Sequence, residues 1–299
     1  MPPFIAALGD FDGVHIGHRE VIGAALSAAR ELSLSSAVWF FSDSPKNKSG
    51  RLTGNEEKIK LFSSLGVDIA ICVDFDDVKN LPPEAFPKEC LVPIGCRGIV
   101  CGFNFRFGKD AAGDTALLET LCSEENLFFK AVPPVVSCGI TVSSTAIRAF
   151  LAAGDVKRAS EMLGRDFSLS TPVSHGRSLG TKLGFPTINQ NFETGCAVPR
   201  HGVYFTVAEY DGKLMPSVSN VGSRPTVGGH VCRLETHILN CGENFYGKTV
   251  TVRFSEFRRD EVRFSSEDEL VAAVKEDVEA AKEYFSENKD TERRPYHET

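Results

Sequence analysis

The feature that most limits how this chain can fold is a change of hydrophobic rhythm near residue 165. Before it, short apolar runs at 4–8, 37–41, 69–73, 98–101 and 128–132 read as buried strands, with a strand-like run at 139–142. Between and after them, apolar residues at helical spacing predict helices over 18–32, 56–65, 83–91, 115–121, 144–152 and 155–163. Strands alternating with helices predict an α/β layer built on a parallel sheet covered on both faces. In such sheets ligands bind beyond the carboxyl ends of the strands, so the loop after the first strand is the first place to look for a site.

After residue 165 the strands become short and closely spaced. Runs 203–210 and 214–221 flank Asp211-Gly212-Lys213, a hairpin signal, while 232–239 and 249–254 alternate apolar and polar residues. Antiparallel strands with many glycines between them predict a small barrel. A helix over 266–285 follows, and Ser265-Ser266-Glu267-Asp268-Glu269 supplies its cap and an acidic first turn. The expected division is 1–164 and 165–288, with a charged tail, 289–299, expected to be disordered.

Composition removes several function classes. The net charge of −7 disfavours a nucleic-acid partner, because such binding draws on Lys and Arg against phosphates. No apolar run reaches the ~18–20 residues of a membrane span, and the first residues lack the basic flank of a signal peptide. The expectation is a cytoplasmic protein, a monomer or weak homo-oligomer, with neither membrane nor nucleic acid as partner. None of the nine cysteines forms a C-x-x-C pair, and most sit in apolar stretches, as Cys72 and Cys101 do. They read as small core hydrophobes in a reducing compartment.

The segment Gly9-Asp10-Phe11-Asp12-Gly13-Val14-His15-Ile16-Gly17-His18 leaves the first predicted strand and enters the first helix. Its glycines let backbone N–H groups approach an anion, and the helix start adds partial positive charge. His15 and His18 are three apart and project to one side, where two imidazoles can donate to phosphate oxygens as charge shifts during transfer. The plainer alternative is a surface turn with two ordinary histidines. Ser143-Ser144-Thr145-Ala146-Ile147-Arg148 opens a later helix, and its hydroxyls with Arg148 one turn in make a second anion clamp. Simple N-capping by Ser144 or Thr145 is compatible with that. Gly102-Phe103-Asn104-Phe105-Arg106-Phe107-Gly108 can put Asn104 and an aromatic at the same crevice, or three phenylalanines in the core; both readings stand.

In the second half Gly176, Gly180 and Gly184 suit a loop folded over phosphates, and Pro186-Thr187-Ile188-Asn189 follows them. Thr187 and Asn189 are two apart in an extended segment, so both oxygens face one side and can share a hard cation such as Mg²⁺. In Leu234-Glu235-Thr236-His237-Ile238, alternation puts Glu235 and His237 on one face. There Glu235 can accept a proton from an alcohol attacking the γ-phosphate of ATP, although a solvated strand face is the commoner reading of such a pattern.

The three first-half pieces resemble the nucleotidyltransferase superfamily, with its H-x-G-H and S-S-T-x-I-R signatures. The resemblance implies attack of a substrate phosphate on the α-phosphorus of ATP with release of pyrophosphate, for which positioning and charge stabilisation suffice. Class I aminoacyl-tRNA synthetases share the string His15-Ile16-Gly17-His18, but this chain is short and acidic, and Lys46-Asn47-Lys48-Ser49 matches their lysine motif poorly. The second half resembles flavokinase domains through 184–189, 199–204, 220–226, Leu234-Glu235, Phe245-Tyr246-Gly247 and 258–261.

Together the two halves resemble the bacterial bifunctional riboflavin kinase/FMN adenylyltransferases, also called FAD synthetases. That resemblance implies a Rossmann-like nucleotidyltransferase domain followed by a six-stranded β-barrel with a C-terminal helix. It implies riboflavin, FMN and ATP as substrates and Mg²⁺ as cofactor. It puts Thr187 and Asn189 at Mg–ATP, Glu235 as general base for the ribityl 5′-hydroxyl, and Arg259 near the flavin. It puts His15, His18, Asn104, Ser144, Thr145 and Arg148 around ATP and FMN.

The sequence departs from the family in two places. Phe41-Ser42-Asp43-Ser44-Pro45 stands where Phe-x-Pro-His-Pro is usual, and Asn240 where Asp is frequent. Ser44 in place of an imidazole motivates an alternative, a riboflavin kinase whose adenylyltransferase domain is weakened or inactive. A flavin-sensing binder on the same scaffold is the non-enzymatic alternative, and it would gain little from Glu235 or the Thr187/Asn189 pair.

Overall fold

A computed structural model describes residues 1–42, 50–176, 179–226 and 229–288. The contacts divide the chain into two compact units, Met1–Ser144 and Thr145–Thr299. The helical pair expected at the end of 1–164 groups by contact with the second unit.

The first unit contains β1 (Phe4–Leu8), α1 (Ile16–Glu31), β2 (Ser35–Phe41), α2 (Asn55–Ser64), β3 (Ile69–Val73), α3 (Phe75–Val78), β4 (Cys96–Gly102), α4 (Thr115–Glu124), β5 (Phe128–Val132) and the two-residue strands β6 (Val136–Ser137) and β7 (Ile140–Thr141). Five strands form a parallel sheet in the order β3-β2-β1-β4-β5. The central strand is covered on both faces, which is why it reads as an unbroken apolar run with all five residues buried. The strand order reverses between β1 and β4, paired from Phe4↔Cys96 to Leu8↔Cys101, so the crevice of this sheet opens at the loops that follow these two strands.

Three expectations need correction here. Residues 83–91 form successive short 3₁₀ and π turns rather than an α-helix, because Pro83, Pro87 and Pro93 interrupt the α-type hydrogen-bond ladder. The run 139–142 is part of a tiny hairpin, β6–β7, turned by Cys138 (φ 49°) and Gly139 (φ 76°). Cys72 and Cys138 are exposed, since β3 is an edge strand and Cys138 sits in that turn, whereas Cys96, Cys101 and Cys122 are core residues. Burial pushes the Cys96 thiol up to about 11 and those of Cys101 and Cys122 up to about 12, so these three are packed apolar groups.

The second unit carries α5 (Ser144–Ala153, its first residue counted with the first unit), α6 (Val156–Leu163), β8 (Ser168–Pro172), α7 (Leu179–Lys182), β9 (Ile188–Asn191), β10 (Gly202–Tyr210), β11 (Lys213–Thr226), β12 (Gly229–Ile238), β13 (Thr249–Arg259) and α8 (Glu267–Glu287). Six antiparallel strands run in the order β8-β13-β10-β11-β12-β9. The seam between the outer strands is bridged where Ser174 N donates to Asn189 O at 2.8 Å, and the buried Gln190 Nε2 donates to Thr171 O and Val250 O, both at 2.8 Å. The sheet thus nearly closes into a barrel.

β10 and β11 are joined by a two-residue turn, Asp211 (φ 50°) and Gly212 (φ 72°), as the sequence signal anticipates. Strand β10 is buried on both sides. Tyr204 and Thr206 are fully buried, whereas Val203, Phe205 and Val207 pack with Val278, Ala281 and Phe285 of α8. Ser266 caps α8 by accepting from Glu269 N, and Glu269 reaches back to Ser265 N at 2.9 Å. Strand β13 runs on to Arg259, five residues beyond the expected end, which makes Arg259 a sheet residue.

Candidate functional sites

The loop from Gly9 to His15 joins β1 to α1 beside the sheet crevice. Its backbone is unusual: Phe11 (φ 51°), Gly13 (φ 87°) and Val14 (φ 39°) are all left-handed, a region that a β-branched residue rarely enters. Surrounding bonds hold it there. Asp12 Oδ1 accepts from Leu52 N (2.8 Å) and Thr53 N (3.2 Å), Asp12 O accepts from Ser144 Oγ (2.7 Å), and Asp10 O accepts from Lys58 Nζ (2.9 Å).

His15 is the N-cap of α1, and its Nδ1 accepts from His18 N at 3.1 Å. The two imidazoles stack at 3.5 Å and 12°. A Cβ on Gly17 would sit 3.3 Å from the His15 ring, so glycine there keeps room for the imidazole over the helix start. Because His15 Nδ1 accepts, its proton resides on Nε2. His18 Nδ1 is buried without a partner, and a buried N–H is rarely left orphaned, so its proton also belongs on Nε2. Burial first, then the neighbouring His15 and Lys58, hold the His18 pKa well below the usual histidine value. A neutral pair, each ring with an Nε2–H, can donate to an anion without itself being charged.

Gly9, Phe11, Asp12, Gly13, His15, Gly17, His18 and Ser144 therefore come together within the first unit. Thr145 and Arg148 follow Ser144 along α5 and fall in the second unit. Of the three phenylalanines after β4, Phe107 is core and Phe105 stacks on it at 6.0 Å, while Phe103 is 45% exposed next to the exposed Asn104. Asp43, Ser44 and Pro45 lie outside the described residues. Sequence reasoning missed Lys58. Its signal was available, because Lys58 shares the buried stripe of α2 with Leu61 and Phe62.

The second site is a row of side chains in register across five strands. Asn189 of β9 pairs with Glu235 of β12, Glu235 with Asn220 of β11, Asn220 with Val203 of β10, and Val203 with Arg259 of β13. Directly paired residues share a face. The row floors a cavity of about 290 Å³, roofed by α8 and lined also by Thr187 and Phe185.

Leu234, Thr236 and Ile238 point into the barrel, as alternation anticipates, leaving Glu235 and His237 on the cavity side. His237 Nδ1 donates to Pro186 O at 2.8 Å and so fixes the Pro186-Thr187 segment beside Glu235. The buried Asn189 amide lies against Gly176, where a Cβ would come within 2.5 Å of Nδ2. Arg233 Nη1 approaches Asn189 Oδ1 at 3.5 Å. Gly180 lies in the short α7 and Gly184 (φ 87°) follows it, so the expected glycine loop is partly helical; Arg177 and Ser178 lie outside the described residues.

Arg259 Nη2 and Nε clasp Asp277 of α8 at 2.6 and 3.1 Å. Asp277 was not anticipated either, although it stands on the apolar stripe of α8 with Val278, Ala281 and Phe285. A second cavity, about 220 Å³, is lined by Pro186, Thr187, Thr236, Asn244 and Tyr246, and Tyr246 stacks on His175 at 4.2 Å. Thr187 lines both cavities. Among the described residues no cluster of three or more His, Cys, Asp or Glu could hold a metal ion, and no helix is long and apolar enough to cross a membrane.

Comparison with known proteins agrees with this two-part construction. A family model described as FAD synthetase matches residues 2–146, and one described as riboflavin kinase matches residues 163–285. The bifunctional riboflavin kinase/FMN adenylyltransferase of Escherichia coli (strain K12) is 34% identical over 290 residues, covering 94% of this chain and 92% of that protein. The protein of the same name from Bacillus subtilis (strain 168) is 31% identical over 297 residues, covering 94% and 92%. A crystal structure titled macrolide-efflux protein, from Streptococcus pneumoniae, superposes with a TM-score of 0.85 at 29% identity, covering 94% of each chain. On the strength of near-complete, two-domain similarity, this chain belongs to the family of bifunctional riboflavin kinase/FMN adenylyltransferases.

Proposed function

We propose that this protein phosphorylates riboflavin to FMN and then adenylylates FMN to FAD, using ATP in both steps. The observation that carries the reading is the pairing of two differently built sites on one chain, each with the chemistry its step needs. In the barrel, Glu235 takes the proton of the ribityl 5′-hydroxyl as that oxygen attacks the γ-phosphate. The larger cavity, with Phe185, Val203 and α8 along its walls, suits the flavin, and Arg259 fixes its position. The smaller cavity, with Tyr246 stacked on His175, suits the adenine nucleotide, and Thr187 stands where the two meet.

The donor set near Glu235 fits magnesium. The Thr187 hydroxyl and the Asn189 side-chain carbonyl are hard oxygen ligands. Two protein ligands are few, as expected for an ion held mainly by phosphate oxygens. When bound, Mg²⁺ would neutralise charge on the transferred phosphate. In the first unit the Nε2–H groups of His15 and His18, with the helix start, stabilise charge on ATP while an FMN phosphate oxygen attacks the α-phosphorus. Asn104 and Ser144 complete the surroundings of ATP and FMN, and Gly9, Phe11, Asp12, Gly13 and Gly17 shape the loop.

Incubating the protein with riboflavin, ATP and Mg²⁺ and separating the products tests this. FMN and FAD should accumulate with ADP and pyrophosphate. Absence of any phosphorylated flavin would end the proposal.

A further inference from the structure

Two polar atoms near the first loop are buried without a hydrogen-bond partner, Asp10 Oδ1 and His18 Nδ1. One lysine bears on both. The Lys58 side chain is 3% exposed; its Nζ donates to Asp10 O at 2.9 Å, lies 3.8 Å from Asp10 Oδ1 and stands 5.6 Å from the centre of the Phe40 ring. A buried ammonium is costly unless its protons and charge are used, and here they meet a carbonyl, a carboxylate and an aromatic face. The carbonyl belongs to the residue immediately before Phe11, where the left-handed stretch begins. Lys58 and Asp12 therefore tie the loop to the segment around α2 at two points, through Asp10 O and through the Leu52 and Thr53 N–H groups.

We infer that Lys58 is a positioning residue for adenylyl transfer, clamping the loop at Asp10 and setting its ammonium to act on the His18 imidazole that offers its Nε2–H there. The inference rests on reading the loop as the ATP phosphate site. The charged or titratable groups acting on His18 are His15 at the start of α1 and Lys58 from α2, with Asp10 partnering Lys58. A protonated His18 would feel the like charge of the Lys58 ammonium.

Lys58→Met and Lys58→Arg in the full chain test the role. Pyrophosphate release from FMN and ATP is measured across about pH 5–9, alongside an imidazole NMR titration in which His18→Gln assigns the His18 signal. Trp39 is the chain's one tryptophan and is buried in the first unit, so its fluorescence reports whether that unit remains folded. K58M should lose pyrophosphate release by about tenfold or more, its His18 should titrate at higher pH than in the wild type, and riboflavin phosphorylation should be unchanged. K58R should keep the low His18 titration.

A folded K58M with wild-type release, or with wild-type His18 titration, overturns the inference. If K58M does not fold, Lys58→Gln takes its place: wild-type release or a wild-type His18 titration overturns the inference, and lost release with a raised titration upholds it. Should the wild type release no pyrophosphate, the ATP-site reading fails, while the His18 titration still reports on Lys58.

Discussion

The first site is made by consecutive residues and the second by residues that meet only through the sheet. Between Gly9 and His18 the chain supplies a left-handed turn, a helix cap and two stacked imidazoles in ten residues. In the barrel, Asn189, Glu235, Asn220 and Arg259 meet because five strands hold one register, and Asp277 joins them from α8. A loop site is exposed to any change in backbone conformation. A sheet site tolerates local change but fails if pairing slips by one residue, because that turns every side chain to the other face. Two chemistries on one chain can then be altered separately.

The largest separation is expected from Glu235→Gln, which removes the proposed base while keeping its shape. Phosphorylation of riboflavin should fall by about 10²–10⁴-fold, while FAD formation from supplied FMN continues at the wild-type rate. Loss of both activities would mean that the sites are not independent. The mirror experiment is His18→Gln, which should lower pyrophosphate release by about 10²–10³-fold and leave the kinase intact.

A smaller effect is expected from Asp277→Asn. It leaves the Arg259 guanidinium without its carboxylate, costing about 1–3 kcal/mol of stability in denaturant titration, and it should raise the riboflavin KM with little change for FMN adenylylation. An unchanged KM would remove Arg259 from the flavin site.

The smallest effect is one of pH. His18 is held neutral when folded, but in the unfolded chain it takes up a proton near the usual value of about 6.5. Its contribution to stability is therefore complete above that pH and is lost as pH falls towards the depressed folded value. Melting followed by Trp39 fluorescence should shift down by a few degrees between about pH 7 and pH 5, and His18→Gln should flatten the shift.

This contrast also decides what could be read in advance. The first site was legible as a string, because Gly9-Asp10-Phe11-Asp12-Gly13 and the two histidines lie together in sequence. The second was legible only in pieces. Alternation gave the face of Glu235, but which residues stand beside it depends on pairings from residue 189 to 259, which no local pattern encodes. Lys58 and Asp277 escaped notice for a common reason. Each is a charge on the apolar stripe of a helix, and stripe patterns are read through their hydrophobic members. Residues 83–91 carry helical apolar spacing, but Pro83 and Pro87 break the ladder that spacing alone suggests.

The central claim is that two different phosphorus atoms of ATP are attacked at two different places. Supplying riboflavin with ATP labelled at either the γ- or the α-phosphorus tests it most directly. The γ label should enter FMN and remain in FAD, and the α label should enter FAD alone. Incorporation of the γ label without any α label would contradict the claim by leaving a kinase and nothing more, and an unlabelled flavin pool would contradict it entirely.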